Sequence, residues 1–190
     1  MKILLFSFTG RIDDGNCSRF IKFINNELID KNIKCSVLNA RELNINPCKN
    51  CNYECFYKDG TCPINDDVLN IYRDIMKNDV VIMVIPVYSG APPSMYFSFR
   101  ERSQAFFKTD KIYEDFKNIK KGYIVIGNKE SGGLQALDIL LSEKKSDDEV
   151  IKSILIQSNE YGQKSIEGNL IKFTKVKIDI KKFLDELIYA

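Results

Sequence analysis

The chain has 190 residues, 44% of them hydrophobic, with 28 basic and 26 acidic side chains for a formal net charge of +2. That fits one domain with a full core, and it lacks the clustered positive charge that sequence-independent nucleic-acid binding requires. Histidine is absent, which excludes histidine-containing triads and His-rich zinc sites.

In chain order, Ile3-Leu4-Leu5-Phe6 is a continuous apolar run that reads as a strand covered on both faces. After a polar loop, Phe20, Ile21, Phe23, Ile24, Leu28 and Ile29 recur at helical spacing, and Cys35 to Leu38 reads as a second strand. Val68, Leu69, Ile71, Tyr72, Ile75 and Met76 mark a helix opened by Asp66-Asp67, acidic residues suited to the positive end of the helix dipole. Val80 to Ile85 is the most apolar run and the expected central strand. Tyr123 to Ile126 and Ile154 to Ile156 supply two more strands, with a helix around Leu134 to Leu141 between them. Ile180, Phe183, Leu184, Leu187 and Ile188 give a final amphipathic helix. Apolar strands alternating with helices predict an α/β doubly wound parallel sheet in a single domain. Ligands of such sheets bind beyond the carboxyl ends of the strands.

No apolar run approaches the ~20 residues that span a bilayer, and the start MKILLFSF is too short for a secretory signal. A cytoplasmic protein with no membrane partner is expected. Of six cysteines, four crowd into one short segment. In a reducing compartment that crowding points to a metal site or redox chemistry.

Three loops at strand ends are candidates for ligand contact. The first, Ser7 to Ser18, combines hydroxyls, glycines, Arg11 and freed amides at a helix start, which suits an anion. It lacks both GxxxxGK[ST] and GxGxxG, and it reads equally as a polar connection whose Asn16 or Ser18 caps the helix. Asp13 and Asp14 would repel a phosphate and are expected to face solvent. After the central strand, Pro86-Val87-Tyr88-Ser89-Gly90 offers an aromatic face and a glycine that admits close backbone approach. The third loop is Gly127 to Gly133, rich in glycine.

Four stretches, SFTGRIDDGNCS, NPCKNCNYECFYKDGTCPINDD, PVYSGAPPS and GNKESGG, together resemble the flavodoxin-like NAD(P)H-dependent FMN reductases, in particular their iron–sulfur flavoprotein branch. The resemblance implies a five-stranded parallel sheet of order 2-1-3-4-5 with helices on both faces. It implies FMN as cofactor and NAD(P)H as co-substrate. Ser7, Thr9, Gly10, Arg11, Asn16, Cys17 and Ser18 fall where the family's phosphate loop falls, Cys17 through its backbone amide. Pro86, Val87, Tyr88, Ser89 and Gly90 fall where the family contacts the isoalloxazine ring, and Gly132 and Gly133 match a looser loop near the ring's other edge. Phe97 replaces a lysine frequent in the family, while Glu101-Arg102 retains its acidic-arginine pair. A homodimer is also implied, because the family often completes its flavin site across subunits. Met95 to Phe99 reads first as a helix packed in the core and second as a candidate for that surface.

Cys48, Cys51, Cys55 and Cys62 give C-x2-C-x3-C-x6-C, followed by Pro63, within a loop at about 46–64. Four thiolates suit a tetrahedral sulfur site, and a [4Fe–4S] cluster takes four cysteines. The family's motif usually has two residues between the second and third cysteines; this chain has three, Asn52, Tyr53 and Glu54. A [4Fe–4S] cluster, a structural zinc ion and metal-free thiols therefore all stand as readings. Cys35 is expected to pack in its strand and Cys17 near the first helix. The functional expectation is an oxidoreductase passing electrons from reduced nicotinamide or ferredoxin, through FMN and then the cysteine centre, to an acceptor. The alternatives are a non-enzymatic flavin electron carrier and a zinc-stapled interaction module.

Overall fold

A computed structural model of the chain describes residues 1–11, 14–49, 51–57, 61–142, 144 and 150–190. In order, the elements are β1 (Lys2–Ser7), α1 (Asn16–Asp30), β2 (Lys34–Asn39), α2 (Val68–Ile75), β3 (Val80–Pro86), α3 (Ser94–Glu101), α4 (Asp110–Lys117), β4 (Lys120–Ile126), α5 (Gly133–Leu141), β5 (Ile151–Ile156) and α6 (Thr174–Ile188). The strands form one sheet in the order β2-β1-β3-β4-β5, every pairing parallel. This is the expected flavodoxin-like order.

Strand side chains alternate between two cores, as a period of two demands. Ile3 and Leu5 of β1, Val80, Ile82 and Val84 of β3, and Ile124 and Ile126 of β4 pack with α1 and α6. Leu4, Phe6, Val81, Met83, Ile85, Tyr123 and Val125 face the opposite side with α2, α3 and α5. With both faces covered, the inner strands read as unbroken apolar runs. The edge strand β2 does not: its Val37 is exposed, and Cys35 packs half-buried against the α1 side.

In α3 the packing reading of Met95 to Phe99 holds for its buried rings, while Met95 and Phe97 are only half-buried. Tyr96 and Phe99 are buried, and Tyr96 meets Phe8 edge-on at 5.3 Å between ring centroids. α4 was not anticipated; none of its residues is buried, so it leaves no apolar run. Among the described residues no helix is long and apolar enough to cross a membrane.

Candidate functional site

The parallel sheet carries the ends of β1, β3, β4 and β5 to one rim, and the loops that leave them interlock. Phe8 continues past β1 by donating its amide to Val84 O at 3.0 Å. Thr9 is buried; its hydroxyl accepts the Arg11 amide at 3.2 Å and lies near enough to the Cys17 thiol and the Tyr88 hydroxyl to pull the pKa of each downward. Gly10 lies against Met95, at the head of α3. The first and third loops are therefore in direct contact.

Tyr88 to Ala91 forms a tight hairpin. The Tyr88 amide donates to Ala91 O at 2.9 Å and the Ala91 amide returns to Tyr88 O at 3.1 Å. Ser89 and Gly90, at φ of 49° and 80°, make the left-handed pair that such a two-residue turn requires. Pro86 ends β3 opposite Ile126, and the Val87 side chain fills the space beside Gly127 where a Cβ would sit. Gly90 touches Gly132, itself at φ 83°, so closely that a Cβ on Gly132 would overlap Gly90 Cα. The third and fourth loops thus meet backbone to backbone. Gly133 opens α5 with its Cα packed under Asn128 O and Gly127 O. Asn128 Oδ1 accepts from the Ser158 hydroxyl at 3.1 Å and the Asn159 amide at 3.0 Å, which ties in the loop after β5.

The start of α1 has the features of an anion seat. Its first turn carries no acidic side chain, and leading helix amides have no intrahelical acceptor. Gly15 is the N-cap, without a side-chain bond, so neither Asn16 nor Ser18 caps the helix; Ser18 is half-buried in its first turn. The Ser7 hydroxyl, fully buried at the base of the loop, has no hydrogen-bond partner among the described residues. Asp14 is exposed and paired with Lys22, which holds its carboxyl below the usual range. Asp13 lies outside the described residues.

Two side chains expected at the phosphate are engaged elsewhere. Asn16 accepts the Leu170 amide at 3.1 Å and donates to Ser165 O at 3.1 Å, and Arg11 Nη1 donates to Ile166 O at 2.5 Å. Arg19 joins them through Gly168 O at 2.9 Å and Asn169 Oδ1 at 3.1 Å. These donors bind a turn of chain about 150 residues away, a tie that no local pattern announces. Burial pushes the Cys17 thiol up to about 12, against the pull of Thr9 and its own amide, so it is a neutral packing group at pH 7. Burial and the nearby Cys17 sulfur likewise raise Tyr88, opposed by Thr9 and Arg11.

Cys48, Cys51, Cys55 and Cys62 all line one cavity of about 160 Å³, walled by Phe56, Ile64 and Ala105 among others. Residues 50 and 58–60 of this loop lie outside the described residues. Among those described, no three His, Cys, Asp or Glu groups converge as ligands of a single metal ion. The C-terminal end of α3 holds both ends of the loop. Glu101 Oε1 accepts the Cys48 amide at 2.5 Å. Arg102 forms a buried ion pair with Asp66 and donates to Cys62 Sγ at 3.2 Å. Asp66 in turn accepts the Asn46 amide at 3.0 Å. The Glu101-Arg102 pair was visible in the sequence; its contact with the cysteine loop was not. Lys108 donates to the carbonyls of Cys55 and Tyr57. A larger cavity, about 500 Å³, lies between α3, α4 and the starts of β4 and β5, away from the loop rim.

An iron–sulfur flavoprotein of Methanocaldococcus jannaschii is 27% identical over 133 residues, 70% of this chain and 65% of that protein. An iron–sulfur flavoprotein of Archaeoglobus fulgidus is 26% identical over 106 residues, 56% of this chain and 52% of that one. The chain thus matches less than two thirds of the length of either relative. A putative quinone reductase from Klebsiella pneumoniae superposes with a TM-score of 0.69 at 14% identity, covering 98% of this chain and 85% of that one. An FMN-dependent NADH-azoreductase from Bacillus anthracis, solved in complex with FMN, gives 0.65 at 12% identity, covering 96% and 99%. These likenesses carry the fold. The family model for NADPH-dependent FMN reductase matches residues 1–142, from β1 through α5, and the chain belongs to that family.

Proposed function

We propose that the chain is an FMN-binding oxidoreductase that takes electrons from reduced nicotinamide or from ferredoxin and passes them to an acceptor, with Cys48, Cys51, Cys55 and Cys62 holding a [4Fe–4S] cluster. The observation that carries this reading is the meeting of the loops after β1, β3 and β4, through Gly10–Met95 and Gly90–Gly132. When bound, FMN would supply hydride acceptance and one-electron release, and the cluster a one-electron relay.

This chain's own residues would bind and orient. The amides of Asn16, Cys17 and Ser18, with the Ser7 and Thr9 hydroxyls, would receive the phosphate at the positive end of α1. Pro86 to Gly90, Gly132 and Gly133 would border the ring, Tyr88 giving it an aromatic face and the glycines letting backbone amides approach. Arg11 and Asn16 would act through the turn they hold, by fixing the loop's shape. No proton-transferring side chain is required, in keeping with a chain that has no histidine. What supports the cluster reading is that all four cysteines line one cavity, a donor set of four thiolates such as a [4Fe–4S] cluster takes.

The test is anaerobic reconstitution with FMN, iron and sulfide, followed by the visible spectrum and assays of NADH and NADPH oxidation. Flavin uptake with steady turnover is expected. FMN should bind about 10- to 100-fold more tightly than riboflavin, the worth of one charge-assisted hydrogen bond to the phosphate. Absence of flavin uptake overturns the reading. Uptake without nicotinamide oxidation, but with reduction by ferredoxin, selects a carrier over an enzyme. We also infer a homodimer. Exposed Tyr53, Phe56, Tyr57 and Tyr88 supply apolar surface close to the proposed centres, and a monomeric mass for the FMN-loaded protein would remove this inference.

A further inference from the structure

Arg102 is the residue immediately after α3, and its side chain is 1% exposed. Burying a guanidinium requires a counter-charge and partners for its donors. Asp66, 0% exposed at its side chain, supplies the charge to Nη1. One edge of the fork would suffice for that pair. The other edge, Nη2, donates to Cys62 Sγ at 3.2 Å and Ile64 O at 3.4 Å, while Nη1 also reaches Asn46 O at 3.2 Å. Asp66 also accepts from the amides of Asn46 at 3.0 Å and Val68 at 3.2 Å, while Arg102 Nε is left without a partner among the described residues.

The four sulfurs therefore do not share one environment. A neutral thiol is a weak acceptor, whereas a thiolate facing a guanidinium forms a charge-assisted bond. Cys62 has such a donor. A buried, fixed cation aimed at one sulfur does more than brace a loop: it stabilises whichever state of the centre carries more negative charge.

We propose that Arg102 is a positioning residue whose guanidinium, oriented by Asp66, donates to Cys62 Sγ and raises the reduction potential of the cysteine-held centre. This rests on the cluster reading above. In the step concerned, one electron leaves the reduced flavin and enters the centre. The added negative charge is met by Arg102, and no proton or bond is exchanged at the arginine.

The experiment compares the wild-type protein with Arg102→Gln and Arg102→Lys. All three are loaded anaerobically with FMN, iron and sulfide, assayed for each, and titrated potentiometrically with spectroscopic detection. The expected result for Arg102→Gln is unchanged iron and sulfide, an unmoved flavin midpoint, and a one-electron reduction equilibrium weakened about tenfold, a fall of about 59 mV at the centre. Arg102→Lys keeps the charge beside Asp66 but lacks the second arm, and it should fall in the same direction by less. If Arg102→Gln does not fold or load, the lysine variant carries the measurement. Full loading with an unshifted midpoint overturns the proposal. Loss of iron from both variants at unchanged thermal stability assigns Arg102 to bracing the loop and overturns the redox role. A wild-type protein that takes up no iron or sulfide overturns the cluster reading itself, a result distinct from an unmoved potential.

Discussion

At Gly132 a single hydrogen atom stands where any other residue would place a carbon, and two loops meet because of it. Replacing Gly132 with alanine imposes the left-handed backbone on a residue with a Cβ, a strain of about 1–3 kcal/mol, and drives that Cβ into Gly90. We expect Gly132→Ala to lower the thermal midpoint by about 4–8 °C, as a loss near 2 kcal/mol does in a chain of this size, and to weaken FMN uptake in a fluorescence titration. Asp66 makes a second residue-scale prediction. Burial pushes its carboxyl up, but the Arg102 guanidinium and the amides of Asn46 and Val68 outweigh it, so its pKa lies below the ordinary value of 3.8. A carboxylate depressed on folding contributes stability that is complete above about pH 4 and is lost as pH falls through the depressed value. Asp66→Asn should flatten that acid limb in urea melts taken from about pH 5 to pH 2. At neutral pH it should also destabilise by about 3 kcal/mol, because it leaves Arg102 buried without its counter-charge. The residues of the rim were legible from Tyr88-Ser89-Gly90 and the glycines near 132, since special backbone conformations need special residues. The destinations of Arg11 and Asn16 were not legible, because a donor's identity does not name its acceptor when that acceptor lies in a distant part of the chain.

Among the elements, legibility followed burial. β1, β3 and the later half of β4 announce themselves as apolar runs, because both of their faces are covered. α6 begins at Thr174, ahead of the periodic residues from Ile180, because Val176 continues their spacing one turn earlier and is fully buried. α4 was missed because it buries nothing completely; what marks it is its cap. The Thr109 hydroxyl accepts the Ile112 amide at 3.3 Å, and Asp110 occupies the first turn. Thr109→Ala should cost about 1 kcal/mol. Hydrogen exchange should show the loss concentrated in α4, with β3 and β4 retaining their protection. Uniform loosening across the sheet would contradict that assignment.

For the whole molecule, the sheet can be no tighter than its outer helices allow. Gly122, near the start of β4, leaves room for α6: a Cβ there would stand 2.5 Å from Leu187 Cδ2 and 2.9 Å from Phe183 Cζ. Gly122→Val should therefore lift α6 from the sheet at a cost of about 1–3 kcal/mol, seen as a lower urea midpoint. The fold class was readable from the alternation of strands and helices. The strand order was not in the periodicity and came through the resemblance of the loops, since a sequence of alternating elements is compatible with more than one winding. The cysteine spacing announced a shared site but not its clamp, because Arg102 belongs to a different element from the four sulfurs.

The hydrogen bonds from Arg11, Asn16 and Arg19 to positions 165–170 bear on how this protein can be cut and recombined. The family match ends at residue 142, which invites a chimera with that front portion fused to a foreign tail. Such a hybrid would deprive the opening loop of the carbonyls that hold its arginines. Arg11, Asn16 and Arg19 would then be left with unpaired donors at the mouth of the loop, so such a chimera is expected to need the turn at 165–170 grafted along with the front portion.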